Sequence, residues 1–451
     1  MSTPAGRIST PNITPDKATG IGDWTDDEFY RALHEGIGRH GEYLYPAFPF
    51  PWFTRVSRDD VLAIKAYLFS LPPANAPRRP NALRFPFNIR DTLWTWRTLF
   101  FKPAEPAAAP PPGDSAARGG YLVEGLGHCG ECHNQHNILG ASEWSGRLEG
   151  GPIEGWYAPN ITSDGRQGVG QWGEDQIVQF LKTGAAPDKG VALGPMRETI
   201  DDSLKYLADG DLRAIAAYLK SSPAREPYRV TGPGGFVARN APGVEVYLSN
   251  CASCHGLNGQ GLKGSVPALA GNGAVTAQGP QDAIRVVLGG LPALNGFAPM
   301  PAVGTHLSDA QVANVVDYVR NAFGNSAPAA TGGGEVAKLR AETRTMMAAS
   351  DPSLCGAVSD NDVVAALKGE EAVKLKQTKA KDILETIDDL LARVRSASPN
   401  FNRNSVVDSL TAAYCKDVFT DPNISQAQRA ERLGNFAVLL YGQILWPEAQ
   451  N

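Results

Sequence analysis

Two short cysteine–histidine motifs carry the most specific chemistry in this sequence of 451 residues. Residues 129–133 read CGECH and residues 251–255 read CASCH, so each follows the pattern C-x-x-C-H. Two thiols three residues apart on a helical turn can each bond one vinyl group of a haem, and the adjacent imidazole then points at the iron. The motifs therefore predict two covalently attached haem c groups. The residues that would hold them are Cys129, Cys132, His133, Cys251, Cys254 and His255.

Two other uses of paired cysteines fit the sequence less well. A zinc site needs further Cys or His at matching spacing, and the whole chain has only seven His. A thioredoxin-like redox pair would open a helix within a βαβ unit, and the sequence shows no such pattern. Haem attachment is therefore the favoured interpretation of both motifs.

Each iron then needs a sixth ligand, and two of the five methionines stand where one is expected. Met196 lies 63 residues after His133, and Met300 lies 45 residues after His255. Both follow a proline ahead of a helical stretch. The alternative role is filling gaps in a core, which is common for Met, but the matched placement favours ligation. A six-coordinate iron with a thioether ligand transfers electrons and has no open position for a substrate.

The composition excludes several classes of protein. The 47 acidic residues outnumber the 42 basic ones, which argues against nucleic acid as a partner. No stretch approaches the 18 or so uninterrupted apolar residues of a membrane-spanning helix. The 48 Gly and 34 Pro indicate short helices joined by long irregular loops.

The elements around the motifs form an internal repeat. Residues 11–14 (PNIT) recur at 159–162, and a Gly-rich turn ending in Trp24 recurs, at the same offset of 148, ending in Trp172. An acidic helix start follows each Trp. A second pattern, an amphipathic helix with one Tyr, occurs three times, at residues 61–68, 212–219 and 312–319. Such self-similarity indicates one domain used repeatedly, so we predict a mainly α protein with three tandem cytochrome c-like domains.

Pro-rich and Gly-rich connectors divide the chain into four predicted blocks. These are residues 1–101, a degenerate cytochrome c-like domain; 115–221 and 242–324, two haem domains; and 335–451, a helical C-terminal domain. Block one is predicted to be free of haem, because the offset of 148 places its C-x-x-C-H motif before Met1 and maps Met196 onto Phe48. A third haem would require a true start upstream of Met1.

Four segments resemble the multihaem cytochrome c subunit of membrane-associated bacterial dehydrogenases, which act on alcohols, gluconate, sorbitol, fructose or aldehydes. The same segments resemble the related cytochrome subunits of nicotinate-type hydroxylases. The segments are residues 12–24, 118–133, 160–172 and 247–256, and the resemblance extends over about residues 1–325. Members of that family usually carry three haems, a signal peptide and a Met in the segment that here contains Phe48. The chain departs from the family on all three points.

The resemblance implies an electron-transfer subunit that is not itself an enzyme. It would take electrons from a catalytic dehydrogenase subunit that carries flavin, quinone or molybdenum cofactor, and pass them to quinone or a terminal oxidase. His133 with Met196 and His255 with Met300 would be the axial pairs. The expected location is the periplasm, with peripheral membrane association through partners, because this type of haem is attached outside the cytoplasm. No signal peptide is present, so we expect that it was removed or that the true start lies upstream.

Two other functions remain open at this stage. One is a catalytic dihaem enzyme of the peroxidase or thiosulfate dehydrogenase type, and the other is a mainly structural adaptor. In block four, apolar residues at helical spacing around 383–394 and 433–445 predict a small bundle. A disulfide between Cys355 and Cys415 is plausible in an oxidising compartment.

Overall fold

The computed structural model describes residues 2–3, 6–112, 115–143, 147–187, 189–226, 241–292, 294–328, 332–343 and 383–397, with single positions at 406, 410, 414, 436, 439, 440 and 443. The chain divides into two compact units. Unit 1 comprises Met1–Gly151, Ile161–Ser163 and Leu207–Arg225, and unit 2 comprises Pro152–Asn160, Asp164–Tyr206 and Glu226–Asn451.

The described part of the chain is mainly helical. Its helices are α1 (Asp26–Glu35), α2 (Phe50–Phe53), α3 (Arg58–Ser70), α4 (Leu93–Phe100), α5 (Ala116–Tyr121), α6 (Gly130–His133), α7 (Glu174–Thr183), α8 (Gly194–Asp202), α9 (Asp209–Ser221), α10 (Val244–Asn250), α11 (Ala252–His255), α12 (Gly273–Thr276), α13 (Gln281–Gly289), α14 (Asp309–Asn321), α15 (Gly333–Glu342) and α16 (Ile383–Ala397). A π-helical turn, Leu122–Leu126, follows α5. Among these described helices, none has the length and apolar character needed to cross a membrane.

The strands of the described residues are two or three residues long. They are β1 (Ser2–Thr3), β2 (Gly6–Arg7), β3 (Ala82–Leu83), β4 (Gly151–Ile153), β5 (Trp156–Ala158), β6 (Ala185–Ala186) and β7 (Gly190–Val191). Strands β1, β2 and β3 form one antiparallel sheet in which Ser2 pairs with Arg7 and Arg7 pairs with Ala82. The pairs β4–β5 and β6–β7 are separate.

The three helices predicted from the repeated Tyr pattern are confirmed as α3, α9 and α14. Two of the three, α3 and α14, begin with a capping serine. The Ser57 hydroxyl accepts from the Asp60 amide, and Ser308 forms a reciprocal capping box with Gln311. The helices expected after Trp24 and Trp172 are likewise present, as α1 and α7.

Unit 1 packs around a cluster supplied by the turn before α1, α1 itself, the turn before α3, and α3. The buried residues are Ile21, Phe29, Ala32, Leu33, Val56 and Val61, and Tyr121 from α5 packs against them. Helices α5 and α9 cross at Gly119, where an added Cβ would lie 1.9 Å from the Ala214 carbonyl oxygen. The Arg118 guanidinium also bonds both carboxylate oxygens of Asp211, at 2.9 and 3.1 Å.

Unit 2 contains a matching pair, α10 against α14. The rings of Tyr247 and Tyr318 lie 5.3 Å apart between these helices. Helix α15 adds Val336 and Leu339 to the core formed by α13 and α14. The Arg340 guanidinium bonds Asp309 at 2.7 Å and the Gly304 carbonyl at 2.7 Å, so the first helix of the predicted C-terminal block packs on the haem-motif region before it.

The apolar stripe predicted in the C-terminal block is confirmed where the structure describes it. Ile387, Leu390, Leu391 and Val394 of α16 are all buried. Phe436 and Leu440 from the second predicted stripe are buried too, and the Phe436 ring lies 4.4 Å from that of Tyr414. Cys355 and Cys415 lie outside the described residues, so their disulfide stays a prediction.

Candidate haem sites

The second C-x-x-C-H motif opens onto an apolar pocket in unit 2. Cys251 and His255 line it from the α10–α11 turn, and Met300 lines it from the loop before α14. The pocket holds about 750 Å³ of space, counting its mouth to solvent. The other lining residues are Val191, Leu193, Pro267, Leu269, Asn272, Ala274, Val275, Asp282, Ala283, Val286, Val287, Leu291, Val315 and Val319. The structure thus brings together three of the four residues predicted for this haem.

The imidazole of His255 is prepared for metal binding by its neighbour. The side chain is buried, and its Nδ1 lies 3.1 Å from the carbonyl oxygen of Pro267. Because a carbonyl can only accept, Nδ1 carries the proton and Nε2 keeps its lone pair. Burial also lowers the pKa of His255 to about 4, so the ring is neutral at neutral pH. A backbone carbonyl on the second nitrogen is the usual way of orienting a metal-ligating His.

The segment that carries Met300 is anchored by backbone hydrogen bonds. The amide of Met300 donates to the Leu291 carbonyl and the amide of Leu291 donates to the Met300 carbonyl, both at 2.9 Å. Ala298 donates to the Ser265 carbonyl at 2.9 Å. These bonds hold the segment at the pocket wall.

The residues present fit a haem better than they fit a reactive thiol pair. None of the four motif cysteines takes part in a disulfide. Burial raises the pKa of Cys129 to about 12 and that of Cys251 to about 12, so neither is a thiolate at neutral pH. A cysteine pair that carries out redox exchange has a lowered thiol pKa, so these buried thiols do not suit that use. An apolar pocket with thiols, an imidazole and a thioether matches the partners of haem c.

One buried acid lines the same pocket. The Oδ1 of Asp282 accepts a 2.8 Å hydrogen bond from the amide of Tyr157. Burial raises the pKa of Asp282 to about 7, although the positive charges of Arg285 and Arg320 oppose the shift. The Arg285 Nε donates to the Gly155 carbonyl at 2.7 Å, so the segment of residues 155–157 is tied to α13 at two points.

In unit 1, the first C-x-x-C-H motif forms α6 and packs beneath an aromatic ring from the first block. An added Cβ on Gly130 would lie 2.2 Å from the Trp52 ring, so only Gly fits there. The Trp52 Nε1 donates to Glu131 Oε2 at 2.6 Å. Burial raises the pKa of Glu131, and the Trp52 bond partly offsets that shift. His133 is buried at the end of α6.

A polar cluster lies beside this motif. Glu124, on the π-helical turn, accepts from Arg147 and, at 2.7 Å, from the Tyr218 hydroxyl. The Arg147 guanidinium also donates to the Tyr218 oxygen at 2.9 Å. Burial raises the pKa of Tyr218 to about 12, so its proton stays in the cluster. The cluster joins the turn before Cys129 to α9.

Met196 is placed differently from Met300. It is half-buried in the first turn of α8, in unit 2, whereas Cys129, Cys132 and His133 belong to unit 1. The Trp156 ring lies against Gly194, two residues before Met196. The pairing of Met196 with His133 therefore stays a prediction.

Sequence reasoning missed the residues that act through backbone atoms or through distant packing. Pro267 holds His255 with its carbonyl, an atom that every residue type has, so nothing in the sequence pointed to it. Trp52 lies 79 residues before Glu131. Phe48 occupies the position corresponding to Met196. Its ring centroid lies 5.5 Å from that of Phe53, and both side chains pack against the core of the first block.

Comparison with known proteins agrees with the assignment of haem-binding motifs. Residues 240–323, which contain the second motif and Met300, match the cytochrome c family model. The chain is 39% identical to the gluconate 2-dehydrogenase cytochrome c subunit of Pantoea cypripedii, over 75% of this chain and 82% of that one. It is 37% identical to the cytochrome c subunit of the quinone alcohol dehydrogenase of Gluconobacter oxydans, over 75% and 76%. A diheme cytochrome c-type protein of Cereibacter sphaeroides is 41% identical over 50% of this chain and 75% of its own.

The two long matches cover about three quarters or more of this chain and of each relative. Both relatives are cytochrome c subunits of dehydrogenases. A cytochrome c domain implies covalently bound haem c, which the donors gathered around His255 fit. The chain belongs to the family of cytochrome c subunits of bacterial dehydrogenases.

Proposed function

We propose that this chain is a dihaem c-type cytochrome that passes electrons from a catalytic dehydrogenase subunit to quinone or a terminal oxidase. It works in the periplasm as a non-catalytic subunit, with peripheral association with the membrane. It has three tandem cytochrome c-like domains, of which the first is free of haem, followed by a helical C-terminal domain. The catalytic partner carries flavin, quinone or molybdenum cofactor.

The convergence of Cys251, His255 and Met300 on one apolar pocket carries this proposal. In it, Cys251 and Cys254 would attach one haem, and His255 and Met300 would hold its iron. Cys129 and Cys132 would attach the other, and His133 and Met196 would hold its iron. When bound, such a haem accepts and releases one electron at a time.

The chain's own residues set the conditions for that transfer. The Pro267 carbonyl holds His255 neutral and oriented, so the ring needs no rearrangement when the charge of the site changes. The apolar walls exclude water, and the anchored Met300 segment keeps its thioether at the pocket. Because an imidazole and a thioether would both hold each iron, no open position would remain there for a small ligand or substrate.

The haem content is the first test. Intact mass and the pyridine haemochrome spectrum of protein matured in a periplasm with haem-attachment machinery should give two haems per chain. The double variants Cys129→Ala/Cys132→Ala and Cys251→Ala/Cys254→Ala should each retain one. Retention of both haems in either double variant would contradict the assignment of that motif.

The ligand test uses carbon monoxide on the reduced protein. Wild type should not bind it, whereas Met300→Leu should keep two haems, bind carbon monoxide at one of them and lower one reduction potential. Met196→Leu should do the same at the other haem. Met346→Leu, at a methionine without a role in the proposal, is the matched control. Carbon monoxide binding by wild type would instead favour a catalytic dihaem enzyme.

A further inference from the structure

The most distinctive surface outside the haem sites lies on unit 1, in residues 78–102. Its exposed apolar side chains include Phe85 (78% exposed), Trp94 (58%) and Leu99 (64%), and Phe87 and Ile89 are exposed between them. Ile138 and Leu139 are exposed on a neighbouring loop, which is joined to α4 because the Trp96 Nε1 donates to the Leu139 carbonyl at 3.0 Å. We call these residues, with the exposed Arg78, Arg79, Arg84 and Lys102, the basic aromatic face.

The face is presented on a fixed platform. Helix α4 turns Leu93 into the unit while Trp94 and Leu99 point outward. The Arg97 guanidinium donates to the Glu35 carbonyl at 2.5 Å and lies over the rings of Tyr43 and Phe101. Because the helix is anchored from its inner side, the outer apolar side chains are displayed to solvent at a defined position.

The turn before α4 is held in the same way. The Tyr45 hydroxyl donates to the Phe87 carbonyl at 3.0 Å, and the Arg90 guanidinium donates to the Tyr43 carbonyl at 2.6 Å. Phe85, Phe87 and Ile89 are therefore exposed on an ordered turn. Exposed aromatic side chains gathered on one anchored segment indicate a binding surface.

The charge of the segment selects the kind of partner. Residues 77–102 contain six basic residues and one acidic residue, a net charge of 6 − 1 = +5, whereas the whole chain carries −5. The rest of the chain therefore carries −10. Within the described residues, Arg78, Arg79, Arg84 and Lys102 form no ion pair. In the sequence, Arg84 directly precedes Phe85 and Lys102 follows Leu99 by three residues, and long exposed basic side chains can reach negative groups near the segment.

We propose that the basic aromatic face docks unit 1 on the surface of a bilayer that contains anionic lipids. Trp94, Phe85 and Leu99 enter the boundary between headgroups and acyl chains, and the four exposed basic residues contact lipid phosphates. Interfacial anchors combine aromatic and apolar side chains with nearby basic residues. This segment has Trp94 and Leu99 on α4 and Phe85 on the turn before it, with basic residues toward both of its ends. This inference rests on the peripheral membrane association of the proposed function and names the surface responsible.

The test is cosedimentation of the haem-loaded full chain with vesicles. One set is pure phosphatidylcholine, and the other contains 30% phosphatidylglycerol. Wild type should bind the anionic vesicles, bind the zwitterionic vesicles far less, and be released by salt. The triple variant Phe85→Ser/Trp94→Ser/Leu99→Ser should bind at least tenfold more weakly. Ile13→Ser/Tyr206→Ser, which removes two exposed apolar side chains elsewhere, should bind like wild type.

A second variant that changes only charges keeps the test valid if the triple apolar variant misfolds. Arg78→Gln/Arg79→Gln/Arg84→Gln changes exposed side chains only, and should weaken binding to anionic vesicles by about fivefold for each charge removed. Wild-type binding by both face variants, or no vesicle binding by wild type, would overturn the proposal. The proposal would also be overturned if the wild-type protein forms an oligomer or complex whose native mass falls in the face variants. That result would assign the face to a protein partner. Haem content and reducibility are measured on the same samples, so loss of vesicle binding with two reducible haems would leave the electron-transfer proposal standing.

Discussion

The indole nitrogen of Trp52 donates a 2.6 Å hydrogen bond to the carboxylate of Glu131, 79 residues further along the chain. Trp52 belongs to the first block, and Glu131 lies inside the C-x-x-C-H motif of the second. The same indole ring lies over Gly130. The first block, which has no C-x-x-C-H motif within these 451 residues, thus forms one wall of the next block's haem motif.

Replacing Gly130 by Ala should disrupt that wall. The new Cβ would lie 2.2 Å from the Trp52 ring, which is fully enclosed and has little room to move. We expect the free energy of unfolding to fall by about 1–3 kcal/mol, as for other overpacked cores. Urea unfolding of the haem-loaded protein measures it. Gly125→Ala is the matched control, because its Cβ would be in ordinary contact at 3.4 Å with Val56. Equal stability of both variants would show that Trp52 does not confine this turn.

Asp282→Asn should change how stability depends on pH. The pKa of Asp282 is about 7 in the folded protein, against an ordinary value of 3.8. The folded state therefore holds this proton more tightly than the unfolded state, and its contribution to stability is lost as pH rises from about 4 to 7. The full effect is at most about 4 kcal/mol. Asn cannot ionise, so the variant should lose this part of the slope in unfolding curves between pH 4 and 7. The exposed Asp59→Asn should keep it, and an unchanged slope in Asp282→Asn would contradict the assignment.

Arg320 should be among the least replaceable residues of unit 2. It is fully buried, and its guanidinium donates to the carbonyls of Val275 (3.0 Å) and Gly279 (3.2 Å), and to those of Gln278 and Pro328 (both 3.3 Å). Arg320→Met would leave these acceptors without their donor, which costs about 3 kcal/mol or more. The thermal midpoint should fall clearly for Arg320→Met and stay near wild type for the exposed Arg166→Met. Similar midpoints for both would mean that other groups satisfy the carbonyls.

The Arg118–Asp211 pair should couple α5 to α9 more strongly than a surface ion pair does. Its two side chains are 13% and 15% exposed, and the two hydrogen bonds raise the pKa of Arg118. A double-mutant cycle with Ala should give a coupling energy of about 1–3 kcal/mol. The comparison pair is Arg58–Asp27, which is 44% and 86% exposed and should give less than about 1 kcal/mol. Equal coupling in the two cycles would show that burial adds nothing to the first pair.

Several elements could be predicted because their signals are local. The repeated Tyr pattern predicted α3, α9 and α14, since helical periodicity and capping side chains act within a few residues. The apolar stripe of α16 was predicted in the same way. The order and partners of the short β-strands were not predicted, because two-residue strands leave no periodic pattern.

The haem motifs, the repeated helices and the candidate methionines could be predicted, because residue type and spacing along the chain suffice for them. The folded structure was needed to show that Met300 shares a pocket with His255, that the Pro267 carbonyl orients that imidazole, and that Trp52 covers Gly130. It also shows that Trp94 and Phe85 stay exposed in a segment with basic residues. These relationships join distant residues, or use backbone atoms common to all of them. They arise from packing between distant parts of the chain, and the order of residues along the sequence does not show which parts pack together.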